Sequence, residues 1–526
     1  MSDAVVRSDD TAAWPNAPVY EKADTAAWLA VAAGSLGAMM ATLDVSIVNS
    51  ALPTIQGEIG ASGTEGTWVA TAYIVAEIIV IPLSAWLQRL LGLRTMLLIA
   101  VTLFTGFSVV CGSAENLTTM IVGRVGQGFT GGALIPTAMS IVATRLPKPQ
   151  QPIGSALFGL TAILGPVLGP LLGGWLTEQF SWHYAFFLNV PIGILLVTLL
   201  ILGLPHQPVA KGEILKADWL GIVGLALALG GLTIVLEEGQ REQWFESELI
   251  VWLTSFTLLG LAMLLVGQRY ASRPVIKLSL LLDRQFGAVA FMGFVLGMVI
   301  FGTSFAIPQF LSAIAGYDAL QSGYVVVLSG IPALLMMPLV PRMIRTIDIR
   351  VAIISGLLIL AVACWLNVHL SASSDGSAFT QAQLMRGVGT ILCFLFLNQA
   401  AISSVPTDLA ADAAGLFAAS RNLGGSIVLA AIATIQDQRL TFHSRQLEES
   451  LSVNPDLVQE HLSNLSDVVG DPGAALRMLA DTIAQQALVM TFNDLFFLLT
   501  IGIVVIIPLP LLLRPLPRGV KLGTMH

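Results

Sequence analysis

Residues 162–176 read AILGPVLGPLLGGWL, an uncharged run in which Gly165, Pro166, Gly169, Pro170, Gly173 and Gly174 recur and Trp175 closes the pattern. A soluble helix would be broken by this much glycine and proline, and a water-exposed loop would be more polar. A membrane helix accommodates both. Glycine lets neighbouring backbones approach closely in lipid, and proline is tolerated there because neighbouring groups re-satisfy the freed carbonyls. Both residues also let the helix bend.

The rest of the chain agrees with that reading. Of its 526 residues, 55% are hydrophobic and only 11% charged, against roughly a quarter charged in ordinary soluble domains. The expected class is therefore an all-α polytopic membrane protein. Cys111, Cys364 and Cys393 fall inside apolar runs and lack metal-ligand spacing, so neither a disulfide framework nor a metal site is expected. The first 25 residues carry Asp3, Asp9, Asp10, Glu21 and Asp24 and no apolar core, which argues against a cleaved signal peptide.

Runs of about 17–25 mostly apolar residues give fourteen expected spans. They lie near 27–50, 67–88, 93–113, 118–143, 153–177, 183–204, 218–236, 248–268, 286–311, 322–341, 350–369, 382–404, 412–434 and 491–513. If the N-terminus is cytoplasmic, eighteen of the 25 lysines and arginines fall on the inside, four outside and three within spans. That asymmetry places both termini in the cytoplasm. An internal repeat is displaced by roughly 260 residues. Pro82, Leu83 and Arg94 match Pro338, Leu339 and Arg350, Pro147 and Phe158 match Pro406 and Phe417, and Arg124-Val-Gly matches Arg386-Gly-Val-Gly. The expected organisation is a cytoplasmic tail (1–26), a six-helix bundle (27–204), an inserted helix pair (205–285), a second six-helix bundle (286–513) and a second tail (514–526). The long outer loop 435–490 carries eight acidic residues and three arginines. Its leucines and valines recur at helical intervals, which predicts short amphipathic helices that either dock a partner or cover the mouth of the protein.

Ionisable groups inside spans are costly and are therefore functional candidates. Asp44 lies six residues before the outer end of span one, and Arg124 six residues after the outer start of span four. At 1.5 Å per residue both sit about 9 Å below the outer boundary and can face one another. Such a pair either couples transport to protons or locks the first bundle structurally. Glu77, near mid-membrane in span two, is the second proton-site candidate. Arg386 and Arg421 put positive charge into the second bundle, where no membrane carboxylate is expected. Three arginines and two acids suit neutral or weakly acidic amphiphiles better than dications. Asn49 and Gln56 are expected to cap a helix or bind substrate, and positive-inside topology accounts for Arg89 and Arg94.

Other motifs carry nothing. Gly126, Gly128 and Gly131 spell G-x-G-x-x-G, but no strand precedes them. No phosphate loop supports ATP use, the six histidines form no zinc pattern, and the short basic clusters at membrane edges give nucleic-acid binding no support.

Four ordered motifs resemble one family. LDVSIVNSALPTI in span one, GRVGQG in span four, the Gly-Pro repeat in span five and WHYAFFLNVPIG at 182–193 are similar to the fourteen-span drug:H+ antiporters of the major facilitator superfamily, and most similar to their EmrB-like branch. The resemblance implies export of hydrophobic or amphipathic molecules driven by inward proton flow, with no cofactor. It implies alternating access between two bundles, with coupling at Asp44 and Arg124. It also implies an inner-membrane location with a periplasmic adaptor (membrane fusion protein) and an outer-membrane channel. One departure stands out: where the superfamily usually has G-x-x-x-D-x-x-G after span two, this chain reads AWLQRLLG, with Ala85 and Arg89 replacing the first glycine and the acid. The family's usual gate in that loop is therefore in doubt. Two other readings stay open, a dedicated exporter of one metabolite, lipid or siderophore, and a non-transporting receptor or scaffold.

Overall fold

The computed structural model describes residues 22–147, 149–206, 217–271, 274–336, 338–406, 409–453 and 455–513, and among them every regular element is a helix. The helix α1 (Thr25–Glu58) starts at Asp24, whose side chain accepts the Ala27 N–H and so satisfies one of the donors left open at a helix start. It is followed by α2 (Trp68–Leu91), α3 (Leu93–Gly112), α4 (Leu117–Gly131), α5 (Leu134–Arg145), α6 (Gln151–Gln179), α7 (His183–Phe187) and α8 (Asn189–Gly203). Two helices, α9 (Trp219–Glu238) and α10 (Glu248–Tyr270), form a hairpin. The remainder comprises α11 (Arg284–Ala315), α12 (Ala319–Val327), α13 (Gly330–Met336), α14 (Val340–Thr346), α15 (Ile349–Leu366), α16 (Thr380–Ser403), α17 (Ala410–Val453), α18 (Pro455–Val469) and α19 (Pro472–Ile506).

Twelve helices among the described residues are long and apolar enough to cross a membrane. The fourth expected span divides into α4 and α5, which join through right-handed backbone at Gly132 and Ala133. The tenth divides into α12 and α13. With those two divided spans the expected fourteen are compatible with the fold. In the first half α1 packs on α5, α6 and α8, and α4 on α2 and α3. The second half is built on α11 against α17 and α15 against α16, with α19 closing on α15 and α17. The hairpin α9–α10 lies outside both, with α9 reaching α2 and α17. Leu249, Val251, Trp252, Phe256 and Leu258 on α10 are exposed, an apolar face suited to hydrocarbon.

Lipid tails are as apolar as leucine, so close packing rather than water exclusion must hold these helices together. The α1–α6 seam shows how. Cβ atoms added at Gly165, Gly169 and Gly173 would overlap Thr42, Ser46 and Ser50 of α1, and Ser46 Oγ donates to the Pro166 carbonyl at 3.1 Å. The glycines thus face one partner helix, and the proline-freed backbone is re-satisfied from it. Gly169→Ala is expected to cost about 1–3 kcal/mol through overpacking, read as a lower melting temperature in detergent. Gly106→Ala, where a Cβ meets open space, serves as the neutral control.

The 435–490 segment differs from its expectation. The 44-residue α17 continues without a break to Val453, and α19 begins well before the expected last span, at Pro472. Only α18 is a separate amphipathic helix, and it packs on α19. The helical spacing of apolar residues does not stop at the membrane edge, so the spans simply extend. Asp471 caps α19 by accepting the Gly473 and Ala474 N–H groups. Asp494 of α19 joins the two extensions, accepting from Arg439 Nε at 2.6 Å and lying 2.7 Å from His443 Nε2 on α17. Of the expected tails, residues 1–21 and 514–526 lie outside the described residues.

Candidate functional site

Asp44 and Arg124 meet. Arg124 Nη1 lies 2.5 Å from Asp44 Oδ2, with Asp44 1% exposed and Arg124 fully buried. The helix spacing that set both at one depth is realised by α1 and α4. A buried ion pair survives only when its remaining hydrogen-bonding capacity is also used. Here Asp44 Oδ1 accepts from Gln127 Nε2 at 3.0 Å and Asn189 Nδ2 at 2.7 Å. Gln127 and Asn189 both donate in turn to Ser108 Oγ. Arg124 donates through Nε to the Val69 carbonyl and through Nη1 to Gln127 Oε1, and stacks 4.3 Å from the Tyr73 ring centroid. Its Nη2 is buried without a hydrogen-bond acceptor among the described residues.

Sequence reasoning missed Gln127, Asn189, Ser108 and Tyr73. Gln127 was accessible, since it follows Arg124 by three residues and shares its helix face. Asn189 lies inside the quoted WHYAFFLNVPIG motif. Ser108 carries no local signal, because a serine hydroxyl in an apolar helix usually bonds its own backbone, and Tyr73 carries none because an aromatic residue in an apolar span reads as packing.

Among the described residues no carboxylate pairs with the corresponding arginine of the second half. Arg386, at the repeat position of Arg124, donates to Thr303 Oγ1 at 2.7 Å and Ser329 Oγ at 3.0 Å, and its Nε is buried without an acceptor. Arg421 on α17 lies 5.3 Å from the Phe394 ring centroid, and its Nε likewise has none. Neither arginine pairs with a carboxylate among the described residues, and each is 8% exposed. Glu77 of α2, also 8% exposed, has no side-chain hydrogen bond among the described residues and feels the charges of Arg421 and Arg124. The halves meet nearby, where Phe158 of α6 stacks on Phe394 of α16 at 6.0 Å. An arginine, an acid and two aromatic rings thus border the boundary between the halves.

Three expectations need correction. Asn49 and Gln56 cap nothing, because α1 runs through both to Glu58; Asn49 is exposed and Gln56 half-buried. The second half does contain carboxylates, Asp412 at the start of α17 and Asp494 within the expected last span. Arg89 is more than a topology signal, since its Nη1 reaches buried Asp412 at 2.9 Å across the boundary between the halves. Residues 323 apart could not have been paired from sequence. The loop whose usual gate was in doubt therefore has an ion pair, with arginine on the first half and the acid on the second. Because Arg89 is half-exposed, the pair is worth on the order of 1 kcal/mol. Asp412→Asn is expected to open that seam about fivefold more often, read as faster alkylation of a cysteine placed at Ser155, which bonds Gln399 across the same seam.

The fold is wholly helical among the described residues, with an ion pair embedded in one of two paired halves. Residues 34–429 match the sequence model of the Major Facilitator Superfamily, and the chain belongs to that superfamily. Within it the chain belongs with the EmrB-like efflux transporters. It is 34% identical to the colistin resistance protein EmrB of Acinetobacter baumannii over 90% of this chain and 94% of that protein. It is 31% identical to the fatty acid resistance protein FarB of Neisseria gonorrhoeae, over 93% of this chain and 96% of that one. The multidrug export protein EmrB of Escherichia coli is also 31% identical, over 89% and 93%. Among solved structures, the human organic anion transporter MFSD10 shares the fold with a TM-score of 0.58 at 15% identity, over 91% of this chain and 99% of that one.

Proposed function

We propose that this transporter exports hydrophobic or amphipathic small molecules, weak acids among them, in exchange for protons entering by alternating access. The observation that carries the reading is the contrast between the halves. In one, Asp44 neutralises Arg124 inside a buried polar network. In the other, Arg386 and Arg421 are buried, and among the described residues neither forms an ion pair with a carboxylate. Protonating Asp44 removes the counter-charge of Arg124, and an unpaired buried arginine is unstable enough to drive a change of state. Arg421, beside Phe394 and within the field of Glu77, is suited to the acidic end of an amphiphile whose apolar body lies on the aromatic rings. The names of the relatives, which cite drugs, colistin and fatty acids, support a broad substrate range.

The lysine and arginine distribution supports a cytoplasmic location for both termini. The helical extensions of α17, α18 and α19 then stand in the periplasm of an inner-membrane protein. They give an adaptor, continued by an outer-membrane channel, a surface to dock on. The organisation into bundles at 27–204 and 286–513 around an inserted pair follows from the same reading.

The experiment is a proteoliposome with an imposed pH gradient and a lumenal pH dye, challenged with lipophilic weak acids, neutral drugs and cations. Several unrelated compounds are expected to collapse the gradient. A response to one compound alone would favour a dedicated carrier, and no response from folded protein would overturn proton coupling.

A further inference from the structure

At the end of the first half that bears the chain terminus lies a cavity of 340 Å³ between α2, α3, α5 and the end of α8. Arg89, Arg94 and Arg145 all line it, together with Gln88, Ser140 and Thr144. Positive-inside topology explains why such residues lie on this side, but not why three arginines from three helices converge on one hollow. Snorkelling side chains would spread into water instead. Among the described residues no carboxylate pairs with Arg94 or Arg145. Arg145 Nε is wholly buried without an acceptor, while its Nη2 only reaches the Gly203 carbonyl at 3.4 Å. Ser140 Oγ donates to Gln88 Oε1, which leaves the Gln88 amide nitrogen available as a donor. The hollow therefore presents charge and donors with no carboxylate among its lining residues, and Asp412, the chain neighbour of the lining Ala411, is already engaged with Arg89.

We propose that this cavity binds a phosphate-ester anion, supplied by the head group of an acidic phospholipid in the surrounding leaflet. The volume holds about ten waters' worth of liquid, at ~30 Å³ each, enough for a phosphodiester with its glycerol. Guanidinium groups match phosphate oxygens in bidentate geometry. The lipid source is favoured by what flanks the hollow. Helices α3 and α8, whose ends contribute Arg94 and Leu204, expose Ile99, Leu103, Ile201 and Leu202 along their outer faces, where acyl chains can lie. Since Arg89 serves both the cavity and Asp412, the bound phosphate competes with Asp412 for it, and the lipid weakens the seam between the halves.

The test is binding to the purified full-length protein, so a failure of proton coupling leaves it unaffected. Native mass spectrometry and melting temperature are read with phosphatidylglycerol, cardiolipin, phosphatidylcholine or inorganic phosphate added. The two acidic lipids are expected to be retained and to raise the melting temperature, and the other two are not. Arg94→Gln with Arg145→Gln should weaken retention about 25-fold, at about fivefold per arginine, and Asp412→Asn should strengthen it by freeing Arg89. Retention of phosphatidylcholine equal to that of phosphatidylglycerol, or retention unchanged in the double variant, would overturn the proposal. A shift produced by inorganic phosphate alone, and lost in the double variant, would keep the phosphate site and overturn the lipid source. If the double variant fails to fold, wild-type protein is crosslinked with phosphatidylglycerol bearing a photoreactive head group. Labelling of residues 140–145 supports the site, and labelling confined to other segments overturns it.

Discussion

Asp44→Asn is expected to insert normally and to lose proton-driven efflux. Asparagine keeps the size of the side chain and an oxygen for Arg124 and Gln127 or Asn189, so the network has a replacement partner. What disappears is the titratable charge. An arginine left without its buried counter-ion is disfavoured by about 3–5 kcal/mol, which moves a two-state equilibrium by more than a hundredfold. The carrier is then held in the state its protonated form adopts, and the gradient has no group to act on. In the proteoliposome assay, substrate-induced collapse of the gradient should fall to background, while exchange of substrate down its own gradient can persist. Wild-type efflux by a folded Asp44→Asn protein would remove Asp44 from coupling and leave the ion pair as a structural lock.

Arg421→Gln is expected to separate substrates by charge. Hydrogen bonds to charged groups contribute about 1.5–3 kcal/mol, so apparent affinity for a carboxylate-bearing amphiphile should fall on the order of 10- to 100-fold. Neutral drugs, which on the proposed reading reach the stacked Phe158 and Phe394 rings only once the halves part and make no contact with the guanidinium, should change little. Glutamine retains donors and most of the volume, so a general packing defect would lower transport of both classes together. Equal loss for neutral and acidic substrates would assign Arg421 a structural role. The comparison also tests Glu77: without Arg421 its carboxylate loses the opposite charge that the other half supplies. Glu77→Gln should then add little to the Arg421→Gln defect, because coupled residues are non-additive.

The largest elements were legible because their signals are local. Membrane character follows from composition, the spans from runs of apolar residues, and the repeat from residues matched in order. The depth of Asp44 and Arg124 followed from a fixed rise per residue. The glycines of 162–176 announced a close helix contact, though not that α1 receives it or that Ser46 bonds the Pro166 carbonyl. The cap assigned to Asn49 and Gln56 failed because proline inside a membrane helix, here Pro53, need not end it.

The sequence by itself determined that this is a helical membrane protein of two related halves, because period and hydrophobicity act over a few turns and need no partner, while transport was implied by its resemblance to a family. Tertiary structure alone decided which polar groups meet: Asp44 with Gln127 and Asn189 as well as Arg124, Arg89 with Asp412, and three arginines around one hollow. Those pairings join residues tens to hundreds apart. In a low-dielectric interior each buried polar atom must find its partner wherever the packing of the helices places one.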